Sequence, residues 1–593
     1  MANTEPSPVE EQRLAILEQR IDALLDEDPG QAGALLNAQS FDAQMQLVLR
    51  QGGVMRQELI LLSNQAQQLA EALPAGELYL TVKDIGEDDA LPLLALISTS
   101  QMQALLDMDV WRKSDLDLHK FEQWLLRFHA AGPERIAAWL RSAEPEDVAF
   151  FLSKALTVHI PGEDEDPMEA ADRLPAVTLD GVRHLKFRSD GLGRALQEAF
   201  VRLHADDADF VRYILDDLFW ELPGELEETA LRLRESRLAE SGLPPVEEAV
   251  EIYQYIPPGK QPEGIKPAVS TEGRPFDTAV MPLREARKYG FLHRAIDALD
   301  PSARSGLALE FLALTNKVMV AETLGAISPS ELRLASQKML AYINIGLEHA
   351  AQHDLEAAAK LLGSTPCQYL FSMGFSRLLD CARAATRTFR QGWAGRAGLT
   401  MALVEPEDQQ LLEGLTREVD RSRRTVPGTR SEPFRSLAEL ARGEQAIARA
   451  EAAGIWLLHL PDYLPSMWTA WVPSRRFPGH AEDLRASGMV FTALVNFAAG
   501  KGLTAAPVSA GTLGAFLRTG LTGAPGQWFV YHDILRAFQT EAAQHWPQLT
   551  PTLHEAMDSF WARTLDRATE EISYLTDLER IDVRGFSCIW IDI

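Results

Sequence analysis

A chain of 593 residues is too long to close around one hydrophobic core. With 46% apolar and 24% charged residues it has the composition of an ordinary globular protein, which excludes wholesale disorder. The formal charge of −28, from 85 acidic and 57 basic residues, repels phosphate backbones and anionic lipid, so nucleic-acid and membrane-surface binding are disfavoured outside a local basic patch.

Residues 1–10 are polar and acidic, lack the basic and apolar regions of a signal peptide, and read as a disordered tail. Residues 11–157 read as an N-terminal helical array. Leu14, Leu17, Ile21, Leu24 and Leu25 fall on one helical stripe. A second periodic stretch, Phe41 to Leu73, breaks at Gly52-Gly53 and ends at Pro74. Ser100 can cap a helix bearing Met102, Leu105 and Leu106. Phe121, Leu125 and Phe128 mark the next helix, closed by Gly132.

Pro133-Glu134-Arg135-Ile136-Ala137-Ala138-Trp139-Leu140 is then answered by Pro145-Glu146-Asp147-Val148-Ala149-Phe150-Phe151-Leu152. Proline suits the first helical position, where its missing N–H costs nothing, and glutamate in the first turn meets the positive end of the helix dipole. Ile136 and Leu140, like Val148 and Leu152, stand four apart and share a face.

Residues 158–240 combine a loop at Pro161-Gly162 and Glu163 to Asp166, a β-hairpin near 177–187 on an Asp180-Gly181 turn, and an acidic helical segment. That segment carries Asp206, Asp207, Asp209, Asp216, Asp217 and Glu225, without the spacing or central glycine of a calcium loop, and reads as a hydrated helix face. Recurrent prolines make 241–282 a linker or extended excursion, and 283–450 a second helical region. Residues 451–593 form an aromatic and glycine-rich subdomain, with a glycine-rich loop over 500–526 and a terminal strand at Phe586 to Ile591. The fold class expected is mainly α, a solenoid-like array of short antiparallel helices with minor β and irregular content towards the C-terminus.

Three cysteines (Cys367, Cys381, Cys588) support neither a disulfide framework nor a zinc motif, which points to a reducing compartment. The run Gly488 to Gly500, among the longest apolar ones, is too short to span a bilayer, so a soluble cytoplasmic protein without membrane insertion is expected.

The catalytic templates fail one by one. His349 and His353 could share one helix face, but two imidazoles are not a metal site and the order His-Glu-x-x-His is absent. Gly500-Lys501-Gly502 lacks the earlier glycine and the following Ser or Thr of a phosphate loop. No Gly-x-Ser-x-Gly elbow occurs, and Cys367 and Cys381 read as small buried residues. No cofactor and no catalytic or metal-binding residue is implied.

Two constellations stand out instead. Arg383, Arg387 and Arg390, followed by Arg421, Arg423 and Arg424, could face an anion, although pairing with the chain's own acidic residues is the stronger reading. Trp468, Trp471, Arg475, Arg476 and Phe477 combine the residue types that most often anchor interfaces, against the simpler reading that the tryptophans are core.

The Pro-Glu pair of helices, within about residues 90–156, resembles the N-terminal helical domain of magnesium transporters of the MgtE type and the related flagellar switch domain. That likeness implies helix packing; transport is not carried over, because the chain has no transmembrane run. The segments Arg56 to Leu62, Gly86 to Leu94 and Leu106 to Lys113 look like an uncharacterised bacterial family spanning most of the chain, which has no activity or catalytic residue to transfer. The expectation is a helical interaction or scaffold protein that binds a protein partner and could self-associate. An enzyme whose site is assembled from distant residues, and a regulator that responds to divalent cations, are the alternatives.

Overall fold

The computed structural model describes residues 8–112, 115–161, 177–220, 223–240, 242–260, 285–322, 329–419, 434–468, 484–575 and 586–592. Helices dominate, and the strands form small sheets of two or three. The chain divides into two compact units. Met1–Gln254, Gln261–Leu340 and Leu355–Tyr369 make the first; Tyr255–Lys260, Ala341–Asp354 and Leu370–Ile593 make the second.

In the first unit the helix starts follow local chemistry. Thr99–Asp109 begins on a capping box in which Ser98, rather than Ser100, receives the Gln101 N–H and Gln101 reaches back to the Ser98 N–H. Asp117 caps Leu118–Ala131 through the Lys120 N–H. The two Pro-Glu segments differ in their entry: Pro145 opens the helix Pro145–Ala155, whereas Pro133 lies in the turn before Arg135–Ser142. Their apolar pairs behave alike, with Ile136, Leu140, Val148 and Leu152 all fully buried. Around them Trp111 stacks on Phe150 at 5.3 Å and Phe121 on Phe151 at 4.9 Å.

The hairpin is present with a third strand added. His184–Phe187 pairs antiparallel with Leu156–His159 on one edge and Val177–Thr178 on the other. Asp180 shapes the turn by accepting the Val182 and Arg183 N–H groups, and Gly181 takes φ 76°.

The second unit is built on stacked aromatics. Trp456, in the helix Leu437–Leu458, stacks on Trp561 at 5.2 Å and on Phe538 at 5.7 Å. The stretch expected as a glycine-rich loop is ordered: Ser509 caps a helix Ala510–Thr519 that contains Gly511 and Gly514. A hairpin follows, Leu521–Ala524 against Gln527–Val530, turning at Pro525-Gly526 with Gly526 at φ 85°. The terminal strand is short, Ile591–Asp592, and pairs in parallel with Val508–Ser509. Glu571 secures its approach by accepting the Ser587 and Cys588 N–H groups, each at 2.9 Å.

Candidate anion-binding groove

The helix Cys367–Arg390 contributes residues 370–390 to the second unit and has two unlike faces there. Leu378, Cys381, Ala382 and Ala385 are buried. Arg383, Arg387 and Arg390, spaced four and three apart, share the opposite stripe and are exposed.

Three devices hold this helix in place. Gly346 and Gly374 let two backbones touch: a Cβ on Gly346 would collide with the Leu370 carbonyl, and one on Gly374 with the Tyr342 carbonyl. Near the C-terminal end, Thr388 donates to Glu451 at 2.8 Å, and the same carboxylate accepts the Trp393 N–H at 2.5 Å. On the outer side Ser376 accepts the Ile256 N–H at 2.8 Å, and Tyr255 donates its hydroxyl to Asp380 at 3.0 Å. Asp380 pushes the Tyr255 phenol above its ordinary range, so the ring stays a donor. The guanidinium of Arg383 lies over that ring, 5.2 Å from its centre.

A groove of about 760 Å³ opens beside the stripe. The three arginines stand at its solvent edge, while Leu379, Ala382, Phe389 and Met401 supply apolar lining. Thr386 comes from the same helix, and Thr416 from the helix Pro406–Val419. The lining therefore carries three cations against one carboxylate, Asp380, which already accepts the Tyr255 hydroxyl, and is otherwise apolar or hydroxylic. Among the described residues no carboxylate lies within ion-pair reach of Arg383, Arg387 or Arg390. Other arginines of the unit are matched: Arg449 gives Asp408 two hydrogen bonds, 2.8 and 2.6 Å long, and Arg377 sits 3.5 Å from Glu444. The pairing expected for Arg383, Arg387 and Arg390 is thus not found among the described residues, and Arg421, Arg423 and Arg424 lie outside them.

The tryptophan constellation fares differently. Trp468 is 5% exposed, packs edge-on against Trp590 at 5.3 Å, and donates its indole N–H to Tyr463 at 2.8 Å. It is core and offers a partner no surface. Trp471, Arg475, Arg476 and Phe477 lie outside the described residues.

The remaining candidates resolve as local structure. The helix carrying His349 ends at Ala351, and Gln352 and His353 take positive φ, so the two histidines do not share a helix face. Gly500 and Gly502 both take positive φ around Lys501, which donates to Thr512 at 3.0 Å. All three thiols are buried. Burial, with Glu444 alongside, pushes Cys381 up to about 12, and burial with Glu571 alongside pushes Cys588 well above its usual range. Among the described residues no group of three or more His, Cys, Asp or Glu is placed to hold a metal ion.

A family model described as a family of unknown function, DUF6178, matches residues 34–592, nearly the whole chain. The chain belongs to the DUF6178 family. No curated protein and no solved structure matches it, and the likeness of residues 90–156 to magnesium transporters has no support in these comparisons.

Within the DUF6178 chain, two of the segments that suggested an uncharacterised family supply Arg56, Asp107 and Asp109 to the polar network of the first unit. Asp109 is 3% exposed and receives Trp124 at 2.8 Å, Tyr79 at 3.2 Å, Lys83 at 2.7 Å and Lys120 at 3.0 Å. Burial opposes its charge, yet Lys83 above all, with Trp124 and Lys120, holds the carboxyl below its ordinary range. Two residues earlier, Asp107 accepts Arg237 at 2.7 and 3.0 Å, and Arg237 reaches on to Asp147 at 2.5 Å. Arg56 is buried too, donating to the Val48 and Leu49 carbonyls and pairing with Glu77 at 2.6 Å. Each of these groups has a charged or polar partner on another element, which fits them for holding helices together. Sequence reading missed this network because its cations lie up to 130 residues from its carboxylates.

Proposed function

We propose that this DUF6178 chain is a helical interaction scaffold that takes an acidic segment of a protein partner in the arginine-edged groove. The observation that carries the reading is the row of Arg383, Arg387 and Arg390, exposed beside an apolar lining and unmatched by described carboxylates. In a chain of formal charge −28 a local cationic row stands against the general field, so it selects anionic segments that the rest of the surface repels. Arginine favours carboxylates because its planar fork gives two parallel hydrogen bonds, and the apolar lining adds burial that a purely charged contact lacks.

The test is site-specific cross-linking in the source cell, with a photoreactive residue in place of Thr386. The expected result is a discrete cross-linked protein whose contact peptide is acidic, lost when Arg383, Arg387 and Arg390 are changed together to glutamate. The same cross-link surviving in the charge-reversed chain, or a contact peptide without an excess of Asp and Glu, would overturn the reading.

A further inference from the structure

The groove's geometry narrows the shape of its occupant, an inference that rests on the reading above. We infer that the site accepts an acidic amphipathic helix, with its carboxylates on the stripe adjoining its apolar stripe.

The first argument is spacing. Arg383, Arg387 and Arg390 lie on one face of a helix. At 1.5 Å rise per residue their Cα atoms are separated along the axis by about 6 and about 4.5 Å, some 10.5 Å in all. Carboxylates at i, i+4 and i+7 of a second helix repeat those intervals. An extended segment places same-face side chains about 6.6 Å apart, so its third carboxylate falls about 13 Å from the first.

The second argument is the arrangement of charge and oil. The arginines are exposed along the groove's edge, whereas the half-buried or buried Leu379, Ala382 and Phe389 of the same helix, with Met401 of the turn Met401–Leu403, make its apolar lining. An occupant must present carboxylates to one side and apolar groups to the interior at the same time. A strand sends successive side chains to opposite faces, so acidic and apolar residues in alternation cannot both enter one groove. A helix carries neighbouring stripes about 100° apart and can meet both demands at once.

The third argument concerns the donor set. The charged edge consists of guanidiniums; Asp380, the one carboxylate of the lining, already accepts the Tyr255 hydroxyl. The threonine hydroxyls already donate to the Ala382, Leu412 and Glu413 carbonyls, so the donors left for a ligand are the three guanidiniums, spread along about two helical turns rather than gathered for one compact charge.

Fluorescence anisotropy on the full chain tests this with two labelled probe peptides of identical composition and about 18 residues. One places glutamates at i, i+4 and i+7 beside a leucine stripe; the other alternates them with a period of two. The helical probe is expected to bind at least tenfold more tightly and to gain helical circular dichroism on binding. Its affinity should fall at least tenfold in Arg383→Glu/Arg387→Glu, and again when NaCl is raised from about 0.05 to about 0.5 M. The thermal midpoint of the variant, unchanged, shows that the fold survives.

Equal, arginine-dependent binding of both probes would overturn the helical inference while leaving the acidic groove intact. Binding that ignores the arginine changes, or no binding of either probe, would overturn the inference, and in the first case the groove reading falls with it. A single-stranded oligonucleotide that binds more tightly than the helical probe, through the same arginines, would overturn both in favour of a nucleic acid. Sedimentation of the wild type and the charge-reversed chain covers the last occupant: arginine-dependent dimers would assign the groove to a second copy and sink the proposal.

Discussion

Asp147 shows how a buried carboxylate behaves when its partner falls short of compensating for burial. Its side chain is almost wholly enclosed, and although Arg237 stands 2.5 Å away, burial dominates and lifts its pKa to about 6. A folded-state pKa above the unfolded value means the folded chain binds the proton more tightly. Stability from this group therefore rises as pH falls from about 6 towards 4, and the full cost of the buried charge is felt above about 6. Relative to Asp147→Asn, the wild type should gain up to about 3 kcal/mol across that window in urea denaturation. Parallel pH profiles for the two proteins would remove the claim. Asp109, held below its ordinary range by Lys83, Trp124 and Lys120, contributes with the opposite sign, which is why the comparison is made against the single variant. None of this was legible in Leu106 to Lys113, whose carboxylates look like any exposed pair until Lys83, Lys120 and Arg237 are brought to them.

At the scale of elements, sequence was most informative where a rule is local. The stripe of Ile136, Leu140, Val148 and Leu152 and the Asp180-Gly181 turn led to the observed helices and hairpin. It failed where composition imitates a loop: Ser509 caps a helix that takes in Gly511 and Gly514, and Pro525-Gly526 is a tight hairpin turn. The crossing at Gly346 and Gly374 was also invisible, since two isolated glycines announce nothing until their helices meet. That crossing sets the helix carrying the arginine row. Gly374→Ala should cost more than about 2 kcal/mol, read as a lowered denaturation midpoint, because the added methyl meets a carbonyl oxygen that cannot rotate away. The double variant with Gly346→Ala should cost less than the two singles combined, since both relieve themselves by the same parting of helices. A wild-type midpoint in Gly374→Ala would show the helices free to separate at no cost.

For the whole molecule, the mainly helical class followed from length, ordinary composition and helical periodicity, whereas the groove did not. It needs one helix, a short turn and a second helix to converge, and although all three lie within residues 367–419, nothing in that stretch tells how they fold back on one another. The general charge has its own consequence. A chain at −28 repels itself, and this repulsion is screened by salt more effectively than its buried ion pairs are. The thermal midpoint should therefore rise by a few degrees between about 0.02 and about 0.3 M NaCl at neutral pH. A falling midpoint would mean that surface ion pairs outweigh the repulsion.

The sealed thiols bear on how the groove can be watched. Cys367, Cys381 and Cys588 are all enclosed, and the latter two are held in the protonated form at neutral pH. Because maleimides attack thiolates, the native chain is a dark background for labelling. A cysteine placed at Thr416 would be the sole quick-reacting sulfur, giving a single dye whose colour or polarisation reports each arrival and departure of a ligand without disturbing the arginines.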